Sequence, residues 1–411
     1  MWKRLLDRLL VDLIRIGRLE VTYPDGTVRN YGPGGDQRVS VTMTDPALPR
    51  RIITGPDLAV GEGYMNGTLV IADDDIRGFL TLIMRNRGAG HTHWAVDVNL
   101  VLQRWLRHIQ QYNPASRARR NVAHHYDLSG RLYDLFLDKD KQYSCAYFIS
   151  PDDSLEQAQA QKKAHIARKL LVEPGMRVLD IGCGWGGMAL TLARDFGAQV
   201  VGVTLSEEQH RVAIDRAKAE GLDDMVNFRL TDYRDVKEKF DRIVSVGMFE
   251  HVGAPHYHEY FTHVRDKLTE DGIALIHTIG RTSPPGGTSP WIQKYIFPGG
   301  YVPAMSEAMA AVEKADLVST DVEVWRMHYA ETLRHWYERF MINIDEARAL
   351  YDERFCRMWR YYLTASEMTF RHNRQVVFQF QLSRKQTAVP LTRDYLYPRA
   401  ARHRALQQAA E

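Results

Sequence analysis

The run Arg177-Val178-Leu179-Asp180-Ile181-Gly182-Cys183-Gly184-Trp185-Gly186-Gly187 passes directly from a short apolar, β-branched segment into glycines. Residues 188–196 then carry helical patterning. Glycines at the end of a strand allow a tight turn into a helix and let a ligand approach the backbone closely, as in open α/β sheets. Working outward, residues 199–206 (QVVGVTLS), 226–233 (VNFRLTDY), 240–247 (FDRIVSVG) and 272–280 (GIALIHTIG) are further apolar runs. Helix-length polar stretches such as 207–220 separate them. This alternation predicts an α/β fold with a Rossmann-like, doubly wound and mostly parallel sheet.

Gly182, Gly184 and Gly187 satisfy G-x-G-x-x-G, a spacing shared with dinucleotide enzymes. The next strand, however, ends at Thr204, where that fingerprint wants a ribose-binding acid; Glu207 and Gln209 follow only later. Asp180 precedes the turn, suited to a cationic amine or to ordering the loop. The third strand ends in Thr231-Asp232-Tyr233-Arg234, where a carboxylate beside an aromatic suits an adenine ring. Together these fit S-adenosylmethionine (SAM) better than a nicotinamide cofactor. Another nucleotide, or a turn that binds nothing, are the alternatives.

The chain's 411 residues allow two or three domains, and 45% hydrophobic with 26% charged residues is a globular composition. A net charge of +3 carries no argument for nucleic acid. Cys145, Cys183 and Cys356 are too few and too scattered for a disulfide framework, which suggests a reducing compartment. No run approaches the roughly 18 apolar residues of a membrane span. Residues 1–18 lack signal-peptide form and read as an amphipathic helix, with Trp2, Leu5, Leu6, Leu9, Leu10, Leu13 and Ile14 on one face and Lys3, Arg4, Arg8 and Arg15 among them. Such a helix either docks on its own domain or lies in a membrane interface. Residues 19–71 read as short and β-like, with a hairpin around Pro24-Asp25-Gly26. A helical stretch is expected at 95–111. The basic segment 113–120 reads as a linker between an N-terminal domain, 1–112, and a larger domain, 121–411.

The runs HHYDLSGRLYDLFLD (124–138), QYSCAYF (142–148), VLDIGCGWGG (178–187), GVTLSEEQ (202–209), DYRD (232–235), FDRIVSVGMFEHVG (240–253), HTIG (277–280), PWIQKYIFPGG (290–300) and HYAETLRHWYERF (328–340) resemble the cyclopropane-fatty-acyl-phospholipid synthases. GEGYMNGTLVIADDDI (61–76) extends the likeness more thinly towards the N-terminus. The resemblance implies a smaller α+β N-terminal domain that engages the membrane and a SAM-dependent methyltransferase domain. In that family the methyl of SAM is delivered to a cis double bond in a phospholipid acyl chain, and loss of a proton from the added carbon closes a three-membered ring. A bound bicarbonate serves as base. Carried over, its ligands are Cys145, Glu250, His277, Ile279 and Tyr329, and the SAM contacts are Tyr143, Ser144, Gly182, Gly184, Thr204, Gln209, Asp232 and Tyr233. The resemblance also implies unsaturated membrane phospholipids as partners, a cytoplasmic enzyme peripheral at the inner face of the membrane, and the family's tendency to homodimers.

An alkene is a weak nucleophile, so its π-face must be held in line with the sulfonium methyl in a dry pocket. Aromatic ring faces can stabilise the cation that forms, and Tyr126, Tyr143, Tyr147, Phe148, Phe249, Tyr295, Phe297, Trp336 and Tyr337 are candidates, each with core packing as its alternative. Cys183, between glycines, is expected to pack against the helix, and Cys356 has no motif. His91-x-His93, His124-His125 and His256-x-His258 have no matching acid or cysteine spacing, so no metal is expected. The chain departs from the family pattern at Ser129-Gly130-Arg131, at Glu323-Val324-Trp325-Arg326-Met327-His328 before Tyr329, in the loop 282–290 and over 377–411. A methyl-branched product, a soluble small-molecule substrate and a catalytically silent lipid binder are the alternatives.

Overall fold

The structure is a computed structural model and describes residues 1–88 and 130–397. The helix expected at 95–111, the basic linker, Tyr126 and the two more N-terminal histidine pairs lie outside the described residues.

The larger domain is built on seven strands in the order β10-β11-β9-β8-β5-β6-β7. The five runs read from the sequence form β5 (Arg177–Ile181), β6 (Gln199–Thr204), β7 (Val226–Leu230), β8 (Phe240–Val246) and β9 (Leu268–Arg281). They pair in parallel, β5 with both β6 and β8, β6 with β7 and β8 with β9. β10 (Val318–Trp325) and β11 (Gln375–Ser383) complete the sheet, β11 running antiparallel between β9 and β10. Helices cover both faces, so β11 is buried at every residue after the first. The chain enters at central β5, winds outward through β6 and β7, then returns to β8 on the other side. That reversal opens a crevice at the C-terminal ends of β5 and β8.

The N-terminal domain holds a four-stranded sheet, β2-β1-β3-β4. β1 (Gly17–Thr22) and β2 (Val28–Gly34) form the expected antiparallel hairpin, while β3 (Arg38–Met43) lies parallel to β1 and antiparallel to β4 (Leu69–Ile71). Between β3 and β4 the expectation of β-like chain is corrected: Leu48–Thr54 and Pro56–Met65 are helices. Helix α1 (Trp2–Leu13) turns its apolar stripe inward, leaving Leu6, Leu10 and the following Ile14 at most 6% exposed. It is therefore a docked helix, as the plainer of the two readings has it.

The two domains meet through specific contacts. Asp57 Oδ2 accepts hydrogen bonds from Ser289 Oγ at 2.6 Å and Trp291 N at 3.2 Å, and Glu62 Oε1 from Lys294 Nζ at 2.7 Å and Tyr295 Oη at 2.8 Å. Gly61 abuts the Trp291 indole, which would lie 2.4 Å from an added Cβ.

Candidate active site

The cofactor cleft opens at the crevice beside β5. It is lined by Gly182, Gly184, Thr204, Gln209, Asp232 and Tyr233, all expected from the sequence, and also by Leu205, Arg234, Met248, His251, Val252 and Glu259. Gly186 takes φ 86° at the N-terminus of helix Gly187–Phe196, a conformation that favours glycine. Gly187 is fixed by proximity instead: an added Cβ would lie 2.3 Å from Gln142 Nε2. Thr204 and Gln209 are both buried and joined by a 3.1 Å side-chain hydrogen bond, so a hydroxyl and an amide stand where dinucleotide enzymes carry an acid. Asp232 caps the turn at Tyr233 through Arg234 N and pairs with the Arg234 guanidinium at 2.6 Å. Its carboxylate is engaged on the cleft wall. Asp180 lies beneath the turn, 1% exposed, with Oδ2 lacking a hydrogen-bond partner. Burial pushes its pKa up to about 7, against a smaller opposing pull from Lys162. A buried, unpartnered carboxylate beside a glycine turn fits the ammonium of an amino-acid-bearing cofactor.

The expected anion ligands come from three directions. β9 carries His277 and Ile279 two residues apart, hence on one face of the sheet. The Ile279 amide donates to Glu250 Oε1 at 2.6 Å, while Glu250 Oε2 is buried with no partner. Desolvation raises the Glu250 pKa to about 7, so near neutrality much of this carboxyl keeps its proton and can donate it to an oxyanion. His277 is 2% exposed, and burial, aided by the Lys162 and Lys169 charges, holds it neutral. Gln379 Nε2 on β11 lies 3.1 Å from its Nδ1. With that amide donating, the ring proton stays on Nε2, which becomes the ring's donor. From the third side, Thr332 Oγ1, one turn beyond Tyr329 on helix His328–Ile342, accepts from Ala146 N at 3.0 Å and ties the Cys145 segment to the tyrosine's helix. Cys145, Tyr329 and Ile279 belong to one apolar cluster. Burial pushes the Cys145 thiol well above its ordinary range, so it serves as a small apolar wall and not as a thiolate.

The candidate aromatics separate. Tyr143 stacks on Trp336 at 5.2 Å and joins its hydroxyl to that of Tyr362 at 2.8 Å, and Tyr329 meets Trp336 edge-on at 5.8 Å. These rings pack around Tyr329, one of the candidate anion ligands. Phe249 instead stacks on Tyr257 in the core, and Tyr295 belongs to the domain contact. Cys183 packs in the core near the turn, as expected, and Cys356 is buried in the helix packing. Of the departures before Tyr329, Glu323 turns away to His165 and Lys169, at 2.7 and 2.9 Å, whereas Trp325 sits edge-on to His277 at 5.1 Å.

The sequence model of the family described as mycolic acid cyclopropane synthetase matches residues 113–380. The chain belongs to that family. Residues 5–92 match a second model, described only as a domain of unknown function. This cyclopropane synthetase family member is 40% identical over 353 residues to the cyclopropane-fatty-acyl-phospholipid synthase of Escherichia coli K12, covering 85% of this chain and 89% of that one. It is 37% identical over 388 residues to the tuberculostearic acid methyltransferase of Mycobacterium tuberculosis, 89% of this chain and 88% of that one. Among solved structures, a mycolic acid cyclopropane synthase complexed with SAH and CTAB superposes with a TM-score of 0.61 at 33% identity, over 64% of this chain and 97% of that one. The protein is a SAM-dependent methyltransferase.

Sequence reasoning missed Gln379, Trp325, Arg234 and the buried Lys162. Gln379 alternates with Phe378 and Phe380 in a strand that the sequence did not reveal, and its partner lies 102 residues away. Trp325 was visible only as a departure from a familiar pattern. Tyr143 and Ser144, expected as SAM contacts, are not among the residues lining the cleft: Tyr143 packs against Trp336, and Ser144 Oγ accepts from Lys162 Nζ at 2.8 Å.

Proposed function

We propose that this enzyme transfers the methyl carbon of SAM to the double bond of unsaturated phospholipid acyl chains and forms cyclopropane fatty acids, with bicarbonate as the base. The observation that carries the reading is Glu250: held by the Ile279 amide, with Oε2 buried and unpartnered, in a chain 40% identical to a cyclopropane-fatty-acyl-phospholipid synthase. When bound, SAM supplies an electrophilic methyl and bicarbonate an oxyanion that accepts a proton. Residues 182–187, Thr204, Gln209 and Tyr233 would hold the cofactor, with Asp180 facing its ammonium. Protonated Glu250, His277 Nε2 and the Tyr329 hydroxyl would be the groups to hold the oxyanion by donating hydrogen bonds to it. Tyr143, Tyr329 and Trp336 offer ring faces to a developing carbocation and exclude water that would trap it.

Two further elements belong to this reading: a division of the chain at 113–120, and an N-terminal domain that faces the lipid surface in a peripheral, cytoplasmic enzyme able to dimerise. Among the described residues no helix is long and apolar enough to cross a membrane. The acyl chain must therefore leave the bilayer at least in part to reach the aromatic corner around Tyr329.

A methyl-branched product is the second reading, favoured by the likeness to a tuberculostearic acid methyltransferase. It requires only that the proton leave a neighbouring chain carbon and not the added methyl. Incubation with SAM and liposomes of a monounsaturated phospholipid, followed by mass analysis of the released fatty acids, tests both. A gain of one CH2 establishes alkylation, and fragmentation assigns ring or branch. No mass gain on any unsaturated lipid, despite SAM binding, would overturn the proposal.

A further inference from the structure

Helix Leu155–Lys169 buries three lysines, and they are not equivalent. Lys163 pairs with Asp140 at 2.5 Å and Lys169 with Glu323 at 2.9 Å. Lys162, 0% exposed, donates instead to two neutral oxygens, Gln142 Oε1 at 2.7 Å and Ser144 Oγ at 2.8 Å. Among the described residues no carboxylate lies at ion-pair distance from it. A buried ammonium with its nearest carboxylates beyond ion-pair distance is costly, so a structural peg would be better made from a neutral side chain. Its two acceptors flank Tyr143, and the second, Ser144, directly precedes Cys145. One turn earlier on the same helix, Gln159 Nε2 donates to the carbonyls of Gln142 at 3.2 Å and Ser144 at 2.9 Å. The helix thus grips residues 142–144 by backbone and by side chain. On its far side this segment presses on the cofactor turn, at the contact between Gln142 and Gly187.

We propose that Lys162 is a positioning residue for methyl transfer: its ammonium fixes residues 142–144, and through them Tyr143 and Cys145, against the glycine turn that receives SAM. The proposal rests on the reading that this segment touches the cofactor. Charge-assisted hydrogen bonds are shorter and stronger than neutral ones, which suits a segment that must not drift by a fraction of an ångström. The groups facing the ammonium are Asp138 and Asp140 from the preceding loop, Cys145, Lys163 on its own helix, Asp180 on β5 and His277 on β9. Burial pulls the Lys162 pKa down to about 8, with Asp138 the main opposing charge, so the positive charge is lost within an accessible pH range.

The test uses the full chain and a double-mutant cycle of Lys162→Met and Ser144→Ala. SAM affinity is measured by calorimetry and turnover on monounsaturated liposomes, from about pH 6.5 to 9.5. Lys162→Met should weaken SAM binding about ten- to a hundredfold, the scale of a lost charged hydrogen bond. Ser144→Ala should weaken it in the wild type but add little in the Lys162→Met background. Deprotonation of the SAM amino group weakens binding to both proteins at alkaline pH, so the readout is the ratio of their affinities: the advantage of the wild type over Lys162→Met should shrink above about pH 8. Wild-type SAM affinity in Lys162→Met, or an affinity ratio that does not change with pH, would overturn the proposal, as would a lowered melting temperature with unchanged affinity. Should Lys162→Met not fold, Gln142→Met is read in its place, with reduced SAM affinity expected and unchanged affinity counting against it. Ser144→Ala with unchanged affinity in the wild type would remove the premise that this segment touches the cofactor.

Discussion

Glu250→Gln should make the ligand-free protein relatively more stable as pH rises, while destroying its proposed activity. In the folded protein the Glu250 carboxyl titrates at about 7, raised from its ordinary 4.5 chiefly by burial and opposed in part by the Ile279 amide. Below about pH 4.5 the carboxyl is protonated in both folded and unfolded chains, and the group is neutral to stability. Between about 4.5 and 7 the unfolded chain releases this proton and the folded chain retains it, so stability drains away. Above about pH 7 both are ionised and the loss is complete. The rise from 4.5 to about 7 corresponds to about 3 kcal/mol. Glutamine keeps the oxygen that accepts the Ile279 amide but cannot ionise. Its buried amide nitrogen lacks a partner and costs about 1–3 kcal/mol, the same at every pH. The diagnostic quantity is therefore the slope: the stability of Glu250→Gln minus that of the wild type should climb by about 3 kcal/mol between pH 4.5 and 7.5. Urea denaturation of both proteins at half-unit intervals reads it, with SAM and carbonate excluded. A difference flat with pH would refute the account of Glu250 as a buried carboxyl held near neutrality.

Three further outcomes follow from the site. Gln379→Leu, which removes the donor that sets the His277 tautomer, should lower kcat about ten- to a hundredfold with SAM affinity unchanged, checked by steady-state assay against calorimetry. Tyr329→Phe should lower turnover on monounsaturated liposomes by about a hundredfold or more while leaving SAM binding within about twofold. Gly187→Ala should drive a methyl into Gln142 and Asp140, 2.3 and 2.5 Å from the added carbon. It is expected to cost about 1–3 kcal/mol in denaturation and to weaken SAM binding in the same variant.

The five parallel strands were legible because each is an apolar, β-branched run closed by glycine or a polar turn. β11 was not, because Gln379 and Gln381 interrupt its apolar pattern, yet both are 0% exposed. Their burial is possible only because each finds a tertiary partner, His277 for one and the Lys169 carbonyl, at 2.6 Å, for the other. The helix Pro56–Met65 escaped for a different reason: Gly61 and Gly63 look like turn residues, but close approach explains them, to Trp291 for the first and to Leu48 and Leu69 for the second. Lys162 was invisible in a helix whose sequence, QAQAQKKAHIARK, reads as solvated over most of its length. Charge within a helix announces neither its face nor its burial, and only the fold assigns three of these cations to the interior. The cofactor turn was readable because its motif is local, while the candidate anion ligands stand out only through the family resemblance. Of the neighbouring residues, Gln379 lies 102 positions from His277, Lys162 carries no local signature, and Trp325, just before Tyr329, showed only as a departure from the family pattern.

Helix α1 constrains how such an enzyme could reach lipid. Its amphipathic pattern alone is equally suited to a membrane interface, but its apolar stripe is already spent inside the N-terminal domain. Lifting Leu6, Leu10 and Ile14 out would forfeit about 1.5–3 kcal/mol each, so insertion of that face must first repay about 5–9 kcal/mol. What remains outward is sparse: Met1 at 83%, Leu5 at 39% and Val11 at 53% exposure, with exposed Arg4 and Arg8 and, against them, exposed Asp12. Lys3 is tied to Asp25 at 2.6 Å and lies over the Tyr23 ring. Arg4 and Arg8, which form no ion pair among the described residues, would gain about 2 kcal/mol on an anionic surface, and that gain fades as salt rises. Electrostatic contact of this size holds a protein at a bilayer briefly and lets it go. Under the proposed function that is a workable arrangement, because the specific hold belongs to the acyl chain in the aromatic corner.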